Sequence, residues 1–184
     1  MKTKAIGLAV AVCVLMLFGA TAAQAAQRFC VSITGANQGP FKAQTMIATC
    51  ANKIEGFTFD YGVVIPRDPA TGRALGKVHK PVRIKKEWGA PSPQLFQALT
   101  RNELLTAVVI DFFGNDPTGQ IVLDHTIKLT NAFVTSIEHH SDALLVAPNM
   151  PLLPAMETVE FVFQQIELID HKSKSGAIDS LSAP

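Results

Sequence analysis

Three cysteines in 184 residues are too few for a disulfide-dense scaffold. Charge of one sign is missing as well. Sixteen basic and fifteen acidic residues leave a formal net charge of +1, so no strong field exists to hold DNA, RNA or an anionic membrane surface. There is one Trp and one Tyr. No C-x-x-C, G-x-S-x-G, P-loop or H-E-x-x-H occurs, which removes the usual signatures of zinc sites, α/β-hydrolases, nucleotide binding and metalloproteases. Charged residues make up only 17% of the chain and hydrophobic ones 48%, the opposite of a disordered composition.

What is present begins with an address. Lys2 and Lys4 precede the uncharged apolar run Ala5 to Ala20, and Ala23-Gln24-Ala25 follows as an A-x-A cleavage site. That order is a secretory signal peptide. The apolar run falls short of the ~20 residues that span a bilayer. Residues 1–25 are therefore read as a signal, leaving 184 − 25 = 159 residues exported to the periplasm or beyond, with no membrane contact once it is cleaved. Cys13 leaves with the signal. Cys30 and Cys50 remain as an even pair in an oxidising compartment. They are expected to be bonded, the alternative being two unrelated buried thiols.

The mature chain reads as strands. Phe29, Val31 and Ile33 alternate against Cys30, Ser32 and Thr34, and Ile54 to Tyr61 alternates again, with Phe57, Phe59 and Tyr61 on one face. Pro66 to Gly76 holds two Pro, two Gly and two Arg and is a long exposed loop. Val82, Ile84 and Lys86 resume the alternation. Ser92-Pro93 opens one short helix, with Ser92 as cap and Leu95, Phe96 and Leu99 as its apolar face, ending near Asn102. Then come strands at Leu105 to Phe113, Gln120 to Thr130, Ala132 to Glu138 and Thr158 to Ile169, the first two joined by the turn Asn115 to Gly119. The last strand's apolar set changes phase between Phe163 and Ile166, the mark of a bulge or of burial on both faces. Ala143 to Pro154 is apolar with three prolines, and His171 to Pro184 is a polar, loose tail.

The expected fold is all-β, two packed antiparallel sheets closing into a β-barrel over residues 26–170, with one short flanking α-helix and a polar tail at 171–184. Residues with chemical potential read blandly. His139-His140 and Asp124-His125 are neighbours on strands and point to opposite faces, so neither pair holds one metal. His125 is placed in the core beside Leu123 and Ile127. Asp116 caps a turn, Lys85-Lys86-Glu87 is a charged strand end, and Trp88 is a packing anchor. No catalytic residue, metal or cofactor is expected.

Taken in order, several segments resemble one family. Val31-Ser-Ile-Thr-Gly35, Ile54-Glu-Gly-Phe-Thr-Phe-Asp-Tyr-Gly62, Lys80-Pro81 and Ile84-x-Lys86-Glu87-Trp88 come first. Ser92-Pro93-x-Leu95-Phe96-x-Ala98, Leu129-Thr-Asn131-Ala132 and Val159-x-Phe161-x-Phe163-x-x-Ile166-Glu167 follow. Together they are similar to the haemolysin-coregulated protein family, Hcp, the tube protein of the type VI secretion system. The resemblance implies a homohexameric ring and stacking of rings into a tube. It also implies a lumen for small effector cargo, contact with a spike protein, and no enzymatic activity. The family's extended loop reaches the next ring, which points to Arg67, Asp68, Arg73 and Lys77 as stacking residues here. Leu144, Leu145, Val146, Leu152 and Leu153 are expected at a subunit interface or packed over the barrel. Two features depart from the family: the signal peptide, and Leu168-Ile169 where the family has an aromatic pair. An exported, Hcp-like binding module that builds no tube is the alternative.

Overall fold

The computed structural model describes residues 28–141 and 154–181. The signal segment and the candidate interface residues Leu144, Leu145, Val146, Leu152 and Leu153 lie outside the described residues. In chain order the strands are β1 (Arg28–Gly35), β2 (Gly39–Pro40), β3 (Ile54–Gly56), β4 (Thr58–Asp60), β5 (Val63–Val64), β6 (Val78–His79) and β7 (Val82–Glu87). Helix α1 (Ser92–Thr100) follows, then β8 (Leu105–Asn115), β9 (Ile121–His140), β10 (Met156–Asp170) and β11 (Ser175–Ser180). All pairings between these strands are antiparallel. Nine strands form one sheet in the order β2-β1-β8-β9-β10-β7-β4, with β3 on β1 and β11 on β10, and β5-β6 form a separate ribbon.

The expected closure of two sheets into a barrel is corrected. Among the described residues no continuous ladder joins the two edges of the nine-stranded sheet. Instead the segment Ile54–Asp60 crosses between them, its first half paired with β1 and its second half with β7. It breaks at Phe57, whose amide bonds Lys85 O at 2.8 Å. That break splits what alternation alone reads as a single strand from Ile54 to Tyr61, and it turns Phe57 outward.

The phase change at the end of β10 belongs to three strands at once. Inward residues are mostly two apart, but each strand has a step of three at the same level: Leu105 to Val108, Leu129 to Ala132 and Phe163 to Ile166; β9 has a second, Val134 to Ile137, at a bulge opposite Glu160 and Phe161. Leu105 and Phe163 both face Ala132, while Val108 and Ile166 both face Leu129, so the three steps share one rung. Asn131 sits in that rung with φ +52°, a conformation Asn tolerates, and its amide donates to Gln164 Oε1 at 3.0 Å. The sheet bends there without losing register. The two expected strands Gln120–Thr130 and Ala132–Glu138 are thereby one twenty-residue strand.

Curling places an apolar core between the sheet's inner face and α1. Phe29, Phe59 and Phe112 meet with ring centroids 5.0 to 6.2 Å apart. Gly56 lies opposite Phe29 because an added Cβ would fall 1.9 Å from that ring. In α1 the buried face is Leu95 and Ala98 with Leu99 packed against it, whereas Phe96 is exposed. Ser92 is not the cap that its position implies. Pro91 holds the N-cap, and the Ser92 hydroxyl turns under the helix. Trp88, expected as an anchor, is half-exposed. The expected loose tail is also corrected over Ser175–Ser180, which returns along β10 as a hairpin strand.

Candidate assembly surfaces

The connection from β4 to β7 projects from one end of their ladder. Its stem is the β5-β6 ribbon, with Val63 opposite His79 and Val64 opposite Val78, extended by a bridge between Arg67 and Ala74. Its tip is organised by Asp68, whose carboxylate accepts the Ala70 and Thr71 amides, each at 2.8 Å. Those bonds hold the carboxyl below its ordinary value. Gly72 takes φ +69° to complete the turn, and Arg67 Nη1 donates to Gly72 O at 3.1 Å. The charges seen in the sequence are here, but so is something charge-reading missed. Val63, Val64, Ile65, Leu75 and Val78 are all exposed, Leu75 at 64%. Their spacing along Val63–Ile65 gave no signal of outward placement, since a β-rich run ordinarily marks a core strand.

The stem is fastened to the C-terminal hairpin. Lys77 pairs with Asp179 and also reaches Ser180 O at 3.3 Å. The His79 ring is buried, stacked on Tyr61 and edge-on to Phe163. Its Nε2 lies 3.0 Å from Asp179 Oδ2 and its Nδ1 lies 2.7 Å from Tyr61 Oη. A neutral ring protonated on Nε2 satisfies both partners: it donates to Asp179 and accepts the Tyr61 hydroxyl. Burial, then the Asp179 carboxylate, push the Tyr61 hydroxyl up. The Lys77 hydrogen bond, with His79 adding to it, holds Asp179 down. Lys77 is therefore engaged within its own chain, while the Arg73 guanidinium has no partner among the described residues.

At the opposite end of the β4-β7 ladder the surface is apolar and acidic. Gln44, Met46, Ile54, Glu55, Phe57 and Glu87 line a pocket of about 120 Å³. Met46 is 88% exposed and Phe57 half-exposed. The buried Gln44 Oε1 has no donor among the described residues.

Two polar clusters hold the elements between these surfaces. Lys86 and Glu157 are fully buried and paired at 2.7 Å. Lys86 also donates to Glu87 O at 2.6 Å, and the Ser92 hydroxyl donates to Glu157 Oε1 at 2.9 Å. Burial drives the Lys86 ammonium down, with Glu157 opposing. The alternation Val82, Ile84, Lys86 had already placed this lysine inward, yet its charge reads in the sequence as a strand end. Glu103 is the second cluster. It accepts the Asn37 and Gln38 amides at 2.8 Å each and fixes the β1-β2 turn. Cys30 and Cys50 form a disulfide with Cα atoms 5.4 Å apart, tying the covering loop to the outer face of β1. Asp116 caps its turn, accepting the Thr118 and Gln120 amides. His125 is half-buried, lying flat on Phe112 at 4.3 Å and bonded to Asp124. Among the described residues no group of three His, Cys, Asp or Glu is placed to hold a metal ion.

Residues 33–169 match the family described as type VI secretion system effector, Hcp. The major exported protein of Pseudomonas aeruginosa is 30% identical over 164 residues, 84% of this chain and 95% of that protein. A solved Hcp protein superposes with a TM-score of 0.78 at 21% identity, covering 86% of this chain and all of its own. The secreted protein Hcp3 of P. aeruginosa gives 0.70 at 26% identity, over 86% of this chain and all of its own.

Proposed function

Since the chain belongs to the Hcp family of type VI secretion proteins, we propose that it is a structural subunit that closes into a homohexameric ring, the rings stacking into a tube. The observation that carries this reading is the projecting β5-β6 hairpin. Its tip is ordered by Asp68 and its base is tied to Asp179, yet it presents Ile65 and Leu75 to solvent. A stiff arm with uncovered apolar side chains fits a contact between copies better than a free monomer surface. A ring requires two different patches that meet head to tail. The segment with Leu144, Leu145, Val146, Leu152 and Leu153 is our candidate for the contact within a ring. The arm with Arg67, Asp68 and Arg73 is our candidate for the contact between rings. Small effector proteins in the lumen and a spike protein at the tube end are the further partners this reading carries. It assigns no catalysis and no cofactor.

Light scattering coupled to size exclusion tests the ring directly on the mature protein: six subunit masses are expected, and a monomer at micromolar concentration refutes it. A second reading has its own observation. The signal-like N-terminus and the Cys30–Cys50 bond both suit an oxidising compartment, where an exported Hcp-like binding module would act without a tube. Fractionation with intact-mass measurement separates the two. Export with cleavage near Ala26 together with a monomeric mass favours the module.

A further inference from the structure

The arm and the acidic pocket lie at opposite ends of one ladder. β4 and β7 pair from Asp60 opposite Arg83 to Thr58 opposite Lys85, with Phe57 and Glu87 just beyond. The arm leaves at the Asp60–Val82 end. The pocket with Met46, Phe57 and Glu87 opens at the other, about 17 Å away along five residue steps of β7. Copies aligned head to tail along the strand direction therefore bring the arm of one against the pocket of the next. The two surfaces are complementary in kind. The arm carries exposed Ile65 and Leu75 with Arg67 and with Arg73, which has no partner among the described residues. Asp68 on the same tip is occupied by its own turn amides. The pocket offers exposed Met46 and Phe57, flanked by the carboxylates of Glu55 and Glu87. Lys85 lies on the outer face of β7 as well, but two residues nearer the arm.

We propose that this pocket receives the tip of the Pro66–Gly76 loop from a second copy of the chain, Leu75 entering between Met46 and Phe57 and Arg73 meeting Glu55 and Glu87. The proposal rests on the tube reading above and names the receiving half of the contact. Its geometry is heterologous, and along a tube it repeats without closing.

The test uses two single-cysteine variants of the mature protein. Met46→Cys and Leu75→Cys both replace exposed side chains, so folding is not at stake, and the native cysteines are joined to each other. Rings of each are prepared separately, mixed and treated with a short bismaleimide. A 46–75 cross-linked dimer is expected on mixing. In parallel, Arg73→Glu and Glu87→Arg should each lower the stacking constant by about tenfold or more while ring mass is unchanged, and the double variant should recover stacking. Rings and tubes that form without the 46–75 link, or charge reversals with no effect on stacking, overturn the pocket but leave the tube reading standing. Monomers throughout overturn the tube reading, and the pocket with it.

Discussion

Replacing Lys86 by Met tests whether the ion pair beneath α1 is dry. Lys86 and Glu157 are both fully buried, and they meet at 2.7 Å. With the ammonium gone, Glu157 Oε1 keeps only the Ser92 hydroxyl among the described residues. Its Oε2 already lacks a hydrogen-bond donor among the described residues, with His139 Nδ1 3.6 Å away. An uncompensated buried charge of this kind costs about 3–5 kcal/mol. At a urea dependence near 2 kcal/mol per molar, the unfolding midpoint should fall by roughly 1.5–2.5 M. Trp88, one residue beyond Glu87, is the only tryptophan in the chain and reports on this region by fluorescence. Far-ultraviolet circular dichroism checks that the transition is global. The double variant Lys86→Met with Glu157→Leu removes both charges and should recover most of the loss, giving a coupling of at least about 3 kcal/mol. The Ser92 hydroxyl still accepts the Gly89 amide there, so the helix start is preserved. Single-variant losses near 1 kcal/mol that simply add in the double would refute the reasoning, since they would mean that water reaches the pair.

Gly56→Ala should destabilise by about 1–3 kcal/mol, because the new methyl overlaps the Phe29 ring; an unchanged urea midpoint contradicts the packing described. Reducing the Cys30–Cys50 bond opens a loop with a separation of 20 residues and should cost about 3 kcal/mol, so a thermal midpoint indifferent to reductant would sink that account. Acid should weaken the fold. Asp116, Asp124 and Asp179 are held below their ordinary values, chiefly by hydrogen bonds from Thr118, Lys172 and Lys77 respectively. In the window between the folded values and the unfolded value near 4, the unfolded chain binds more protons. The stabilisation is therefore complete above that window and is lost as pH falls through it. A urea midpoint constant from pH 5 to pH 2 would contradict this.

Local chemistry in the sequence was enough for much of the architecture. Alternation at Phe29, Val31 and Ile33 and at Val82 and Ile84 marks inward faces, because side chains on a strand have a period of two whatever they pack against. Pro93 near a helix start, the Asp116 turn and the proline- and glycine-rich arm are likewise determined by backbone sterics and short-range hydrogen bonds. The resemblance to Hcp was legible because its motifs keep their order along the chain. The rest depended on partners distant in sequence. Whether Lys86 is a solvated strand end or a buried cation is decided by Glu157, 71 residues on, under a helix that its own strand cannot specify. The step of three at Phe163 looks like an isolated defect until Leu105 and Ala132 are seen on the same rung. The outward placement of Ile65 and Leu75 cannot be read from their hydrophobicity, which alone argues for a core. It follows from the ribbon that carries them past the sheet's edge and from Asp179, which pins that ribbon from the far end of the chain. Local propensity acts over a few residues, whereas burial is a property of what the curled sheet brings together, so only the tertiary structure could assign it.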